Sequence, residues 1–263
     1  MKPLDQIPSR ALVSILFVLL QACSTLVPVP TTSPSPVPEE TRVPLSQLVT
    51  LSSISFREEG QSPAYSITAQ TPKFSGSEDE RVQTFNQAVS GLVQAEIDYF
   101  RKNLLAQMPS VPVSGGSFFQ AQYSVIFQNG NLWSLKFDFS GYADGAAHPY
   151  HYSLTYSYDL ERGKKLSLGE LLRKDSEYLE VISRICIAEL SRRDIGFYGG
   201  FQQGAEPTAD NYRNWNMTPE GLVFTFDEYQ VAPYAAGPQT VVVPYGELTS
   251  LVNPEGPLAG IVR

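Results

Sequence analysis

The chain has 263 residues, of which 42% are hydrophobic and 17% charged, with a formal net charge of -8 at neutral pH. That is enough apolar material for one sizeable core or two smaller ones. The acidic balance repels phosphate backbones, which excludes nucleic acid as a natural partner and favours basic proteins.

Lys2 and Arg10 supply a positive leader, Ala11 to Leu20 is a short apolar run, and Leu20-Gln21-Ala22-Cys23 closes it. Such a run cannot span the hydrocarbon layer as a helix, so residues 1–22 are expected to be a signal peptide. The ending resembles the lipobox of bacterial lipoproteins. That resemblance implies acylation of Cys23, with palmitate-type chains, and attachment of the mature chain to a membrane. Residues 23–44 are rich in Pro, Ser and Thr without apolar periodicity, and are expected to form an extended tether at about 3.1 Å per residue.

The globular part opens with two predicted strands, 53–57 and 65–71. Ser77 with Glu80 three residues on reads as a capping box. Val82, Phe85, Val89, Leu92, Val93, Ile97, Phe100 and Leu104 then recur at helical spacing until Pro109, predicting a helix of roughly thirty residues. Phe119 to Phe127 and Trp133 to Phe139 both alternate, and Asn129-Gly130 between them predicts a hairpin with a type I′ turn. After the loop that carries His148 and His151, a third alternating strand from Tyr152 to Leu160 completes an antiparallel meander. One face of it is apolar and the other polar, which suits a sheet covered on one side by helix.

Ser167 and Glu170 predict a second capping box over a short helix, followed by a longer helix from about Ser176 to Arg192. Cys186 lies on the apolar stripe of that helix, where a buried, inert thiol is expected. The segment Gly196 to Asn214 is too long and too aromatic for a plain connector. Two readings stand for it, a cover over a groove or a disordered excursion. Strand returns at Leu222, Phe224 and Phe226, breaks through Val231 to Pro238, and closes at Thr240 to Val243.

Two blocks carry a family resemblance. The first, residues 141–172, holds Asp159, Gly163, Lys164, Leu168, Leu171 and Leu172; the second runs from Asn214 to Leu248 and holds Gly221, Leu222, Phe224, Phe226, Tyr229, Ala232, Pro233, Tyr234, Ala235, Ala236 and Gly237. They resemble the bacterial extracytoplasmic domain family typified by the lysozyme-binding ectodomain of the anti-sigma factor RsiV and by the non-catalytic N-terminal region of the peptidoglycan deacetylase PdaC. The resemblance implies a part like the PdaC N-terminal region over 45–140, an RsiV-like part over 141–252 and a tail over 253–263, as one composite domain or two. The sequence shows neither the metal-binding motifs of a deacetylase nor a sigma-binding segment, so neither activity is expected.

The expected fold class is α+β, a mainly antiparallel sheet with helices packed on one face. No hydrolase, metalloprotease, P-loop or CxxC motif occurs. Asp144, His148 and His151 have the residue types of a facial metal triad and mark the alternative, a metal-dependent envelope hydrolase. Asp227-Glu228 on a strand would point to opposite faces and could not flank one bond. The preferred reading is a non-catalytic module without cofactor that binds a lysozyme-like protein or a peptidoglycan fragment through His148, Tyr150, His151, Tyr229 and Tyr234. Tyrosine rings offer flat apolar area with a polar rim. The other reading of Tyr234 to Gly237 is a tight corner that closes the sheet.

Overall fold

Two long strands begin the fold. A computed structural model describes residues 43–107 and 113–262, so the expected signal peptide, Cys23 and the tether lie outside the described residues. A short helix α1 (Leu45–Leu48) buries Leu45 ahead of β1 (Thr50–Gln61) and β2 (Ala64–Ser75), which pair antiparallel along their full length. Both strands outrun the predicted ones, because the alternating core positions are flanked by polar residues that the ladder also takes in.

Helix α2 (Glu80–Tyr99) buries Val82, Phe85, Val89, Val93 and Ile97 against β2, as the spacing predicts. Its cap differs from the expected box. The Asp79 carboxylate accepts from the Arg81 N–H at 2.9 Å, while the Ser77 hydroxyl accepts from the Asp79 N–H at 3.2 Å and so acts one step earlier. Asp beats Ser here because its charge also faces the positive end of the helix dipole. The helix is also shorter than predicted. Residues Phe100–Leu104 widen into a π turn and Leu105–Gln107 tighten into a 3₁₀ turn, with Phe100 buried and stacked on Phe119 at 5.5 Å.

Strands β3 (Ser117–Asn129) and β4 (Leu132–Tyr142) form the predicted hairpin, and β5 (Tyr150–Asp159) pairs antiparallel with β4. The tight loop is Gly130-Asn131. Only Gly130 has positive φ there (56°), so the turn is not the expected type I′, which needs both central residues left-handed. A two-residue β6 (Lys164–Lys165) completes a six-stranded sheet in the order β1-β2-β3-β4-β5-β6. One pairing breaks the antiparallel rule: β2 and β3 run parallel, because α2 carries the chain back between them. At the end of β5 the Asp159 carboxylate accepts from the N–H groups of Glu161 (3.0 Å) and Arg162 (3.1 Å), and Gly163 turns at φ 66°. This is the local reason for the Asp159, Gly163, Lys164 pattern.

Tyr152, Leu154, Tyr156 and Tyr158 alternate onto the α2 side with Phe119, Ala121, Leu135, Phe137 and Phe139, forming the first core. A register shift between Val125 and Phe127 turns Phe127 to the other face, where it joins a second core. That second core belongs to α3 (Leu168–Leu171), α4 (Tyr178–Leu190), and the antiparallel strands β7 (Trp215–Met217), β8 (Gly221–Phe226) and β9 (Gln239–Pro244), with α5 (Tyr245–Leu248) behind them. The second capping box forms as predicted: the Glu170 carboxylate accepts from the Ser167 N–H at 2.9 Å. Cys186 is fully buried, and burial pushes its thiol up to about 12.

Two expectations about the second half change. The segment 196–214 is neither cover nor excursion but core: Phe197, Ala205 and Tyr212 are buried, and the Tyr212 ring meets Phe224 edge-on at 5.3 Å while its hydroxyl donates to the Ala205 carbonyl at 2.6 Å. Residues 253–262, expected as a tail, bury Leu258 in the same cluster, and the Asn253 N–H donates to the Leu171 carbonyl.

Part of the polar face of the large sheet is covered. Strand β7 lies across it. The Asn216 amide donates to the Ser134 hydroxyl and the Leu135 carbonyl, both at 2.9 Å, and the Met217 N–H donates to the same hydroxyl at 3.1 Å. Ser134 and Ser157 share a hydrogen bond of 2.7 Å, and the Trp215 N–H donates to the Thr155 hydroxyl at 3.0 Å. The strand alternation therefore describes an apolar face buried under α2 and a polar face buried where β7 crosses it. The fold is α+β, with helix α2 on the first face and the second sheet over part of the other.

Candidate functional site

Residues 143–149 join β4 to β5, and Asp144 pins them. Its carboxylate accepts from the N–H groups of Val113 (2.5 Å) and Ser114 (2.9 Å) and from the Ser114 hydroxyl (2.6 Å), while its own N–H donates to the Ser117 hydroxyl. The Ser114 hydrogen bond, followed by the Val113 N–H, holds the carboxyl below its usual range. Beyond this staple the loop presents His148. Its Nδ1–H donates to the Pro149 carbonyl (2.8 Å), which leaves Nε2 to accept from the Tyr229 hydroxyl (3.3 Å).

The His148 ring stacks on Tyr234 with centroids 3.9 Å apart, Tyr229 lies 5.9 Å from Tyr234, and the Tyr234 hydroxyl donates to the Pro149 carbonyl at 2.9 Å. Tyr229 is more than half exposed and sits at φ 66°, a left-handed backbone that β-carbons disfavour. The two signature blocks thus meet in space through one imidazole and two phenol rings.

His151 is held from the same turn. Its Nδ1–H donates to Glu228 Oε1 at 2.9 Å and its backbone N–H to Oε2 at 3.2 Å. Next to it the Ser153 N–H donates to Asp227 at 2.8 Å, and Asp227 also accepts from the Asn214 amide at 3.2 Å. Both carboxylates therefore reach the same edge of β5, against the expectation that neighbours on a strand diverge. Strand β8 ends at Phe226, and the two acids lie in a turn closed by the Gln230 N–H on the Asp227 carbonyl. There the period of two no longer applies. Burial raises the Asp227 carboxyl above its ordinary value.

Tyr150 does not belong to this cluster. It alternates with Tyr152 onto the α2 face, its ring 6.2 Å from that of Tyr152 and its hydroxyl packed over Gly141, and burial pushes it up to about 12. The imagined metal triad does not assemble either. Asp144, His148 and His151 each have separate partners, and among the described residues no group of three His, Cys, Asp or Glu is placed to hold a metal ion.

Beside the aromatic cluster the polar sheet face continues uncovered. It floors a cleft of about 420 Å³ lined by Gln120, Gln122, Asp138, Ser140, His151 and Glu228, with Pro238 at its rim. Asp138 pairs with Lys136 at 2.6 Å and accepts from the Ser153 hydroxyl at 3.0 Å. The cleft is dense in amide, hydroxyl, carboxylate and imidazole groups that can donate and accept. Its Ser153 hydroxyl is turned to a carboxylate, not to an imidazole that could activate it. Sequence reasoning passed over Gln120, Gln122, Asp138 and Ser140. The alternation of β3 and β4 does put them on the face that carries His151, so the signal was present.

Residues 169–246 match the family model described as "Protein of unknown function (DUF3298)". Over 101 residues, 38% of this chain, the sequence is 28% identical to the peptidoglycan-N-acetylmuramic acid deacetylase PdaC of Bacillus subtilis. Over 112 residues, 41% of this chain, it is 30% identical to the immunogenic protein MPT64 of Mycobacterium tuberculosis. The chain spans 22% of the length of PdaC and 47% of that of MPT64. In three dimensions it superposes on the crystal structure of a DUF3298 family member from Bacteroides fragilis with a TM-score of 0.65 at 16% identity, covering 82% of this chain and 97% of the other. The fold is thus shared with nearly the whole of that protein, while the family-model match is confined to residues 169–246 and the sequence similarity to PdaC to 101 residues.

Proposed function

We propose that this chain is a non-catalytic binding module of the bacterial cell envelope, anchored through Cys23, and that its cleft takes a saccharide derived from peptidoglycan. The observation that carries this reading is the juxtaposition of a polar cleft with an aromatic cluster. Saccharides present dense hydroxyl and amide groups at their edges and apolar C–H patches on their ring faces. Gln120, Gln122, Ser140, His151 and Glu228 match the edges, and Tyr229 and Tyr234 match the faces. PdaC is named for an activity on peptidoglycan N-acetylmuramic acid, which supports the ligand class, although this chain spans only 22% of it.

The test is equilibrium binding of the purified protein to insoluble peptidoglycan and to soluble N-acetylglucosamine–N-acetylmuramic acid oligosaccharides. Tyr234→Ala and His151→Ala should each weaken capture by about tenfold, while the melting midpoint stays within about 3 °C. Absence of saccharide binding would overturn the reading. Tight binding to a basic muramidase in its place would identify a protein partner attracted by the acidic surface. Zinc retained at unit stoichiometry would overturn the non-catalytic assignment.

A further inference from the structure

Strand β1 is the outer strand of the large sheet, and its second edge meets no other strand. Which backbone groups point outward there follows from parity. The Asn86 side chain accepts from the Phe74 N–H at 2.8 Å and donates to the Phe74 carbonyl at 2.9 Å, so Phe74 faces away from β1 while Lys73 and Ser75 face towards it. Their partners in the register are Ser52 and Thr50, so the even-numbered residues of β1 turn their amides to β2. Leu51, Ser53, Ser55, Arg57 and Glu59 turn theirs to the open edge. Among the described residues none of these outward N–H and carbonyl groups has a hydrogen-bond partner.

Nothing interrupts this row. Residues 52–57 are all exposed, the register with β2 has no bulge, and β1 contains no proline. Its charges lie at one end and are met within the chain, Arg57 by Glu59 and Glu58 by Arg101. Folds that stay single blunt such an edge with proline, bulges or unpaired charge; a long, flat edge left bare is a template for another strand.

The side chains select the occupant. On the α2 face β1 carries Ile54 and Phe56, 50% and 38% exposed, at the mouth of a groove of about 440 Å³ whose opposite wall is α2. A second β1 laid antiparallel about a twofold axis at Ser55 sets Ile54 of each chain against Phe56 of the other, Ser53 against Arg57 and Leu51 against Glu59. Odd residues then meet odd residues, so the five pairs exchange all their outward bonds, and no like charges face each other. Other registers lose this match. An axis at Arg57 or Glu58 opposes that residue to its own copy, and an axis at Ile54 or Phe56 sets the remaining one of the two against Ser52 or Glu58. An axis at Ser53 sets both apolar residues against polar ones.

We propose that β1 is a dimerisation edge, joining two copies of this chain into one continuous sheet about a twofold axis at Ser55. The isologous seam closes on itself and buries the one bare edge of the large sheet. It is independent of the saccharide cleft, with which β1 shares no residue.

The experiment is sedimentation velocity on the full chain carrying Cys23→Ser, in which no acyl chain can drive association. It should be mainly dimeric at about 100 µM and dissociate on dilution. Ser55→Lys opposes two like charges at the axis and should weaken the dimer at least about tenfold, with the melting midpoint within about 2 °C because the position is exposed. A second reading does not depend on that variant. Ser55→Cys lies opposite its own copy at about 5.5 Å between α-carbons, within disulfide range, and should cross-link two chains under mild oxidation. Ser53→Cys, equally exposed but opposite Arg57, should not; Cys186 is buried and does not compete. A chain that stays monomeric to about 100 µM would overturn the proposal and leave the edge to an extended segment of another protein. A dimer indifferent to Ser55→Lys, or one that cross-links through Ser53→Cys and not through Ser55→Cys, would overturn it as well.

Discussion

One face of the large sheet is built from the same kinds of residue at both ends, and the two ends do different things. Where β7 crosses, Ser134, Thr155 and Ser157 are buried: the Ser134 hydroxyl accepts from Asn216 and Met217, the Thr155 hydroxyl accepts from the Trp215 N–H, and Ser157 shares a hydrogen bond with Ser134. A few residues further along, Gln120, Gln122, Ser140 and His151 line an open cleft. Polar side chains under cover are joints, since an unmet donor there is costly. The same chemistry without cover is a surface able to exchange water for a ligand. Composition does not separate the two; the path of residues 214–217 does.

The largest expected effect breaks the covered end. Asn216→Ala removes the amide donor to the Leu135 carbonyl and one of the partners of the Ser134 hydroxyl, which keeps Met217 and Ser157, so the loss in this buried setting is about 1–3 kcal/mol. For a domain of this size a loss of about 2 kcal/mol, the middle of that range, lowers Tm by roughly 4–8 °C. Gln120→Ala at the open end should move Tm by no more than about 2 °C. Thermal denaturation of the two variants side by side checks the distinction, and equal losses would refute it.

Much of this was legible in the sequence, and the failures have physical reasons. The alternation of β3, β4 and β5, the Ser167–Glu170 box and the stripe Val82 to Ile97 each rest on interactions within a few residues or on one period, which a sequence displays directly. The parallel pairing of β2 with β3 does not, because period two is identical for either partner direction. Strand β7 has only three residues, too few to show any period. Tyr150 was misplaced although its alternation with Tyr152 was in plain view. The meeting of His148 with Tyr229 and Tyr234 was expected from the paired blocks, whereas the role of Glu228 depends on β8 ending at Phe226, which no pattern marks.

At the border between the two ends, pH provides a smaller test. Burial raises the Asp227 pKa in the folded state, so this group's contribution to stability is complete below its unfolded value near 3.8 and declines as pH rises through the folded value. Asp144 has the opposite sign. Its folded pKa is lowered by Ser114 and Val113, so its contribution is present above 3.8 and lost as pH falls through the folded value. Asp227→Asn, which keeps an acceptor for the Ser153 N–H, should therefore gain on the parent protein in Tm between about pH 4 and pH 7. Asp144→Asn should lose on it at pH 7 and converge with it near pH 2. Tm profiles that run parallel to the parent across this range would remove both assignments.

The smallest expected change in stability tests whether the open end is shaped for binding at the expense of its backbone. Tyr229 is the one described non-glycine residue with positive φ, at 66°, a region that costs a side chain about 1–2 kcal/mol. Its hydroxyl meets His148 at 3.3 Å and its ring flanks Tyr234, yet more than half of the residue is exposed. Tyr229→Gly relieves the backbone but adds about 0.5–1 kcal/mol of chain entropy to the unfolded state and forfeits the ring contact, so Tm should shift by less than about 2 °C. Tyr229→Ala keeps the strained backbone and loses the same contact, and should melt about 2–4 °C below the glycine variant. Both should lose saccharide capture to a similar degree, because both lack the ring. An alanine variant as stable as the glycine variant would mean that the turn relaxes freely, and that the tyrosine is not held in a strained backbone beside the cleft.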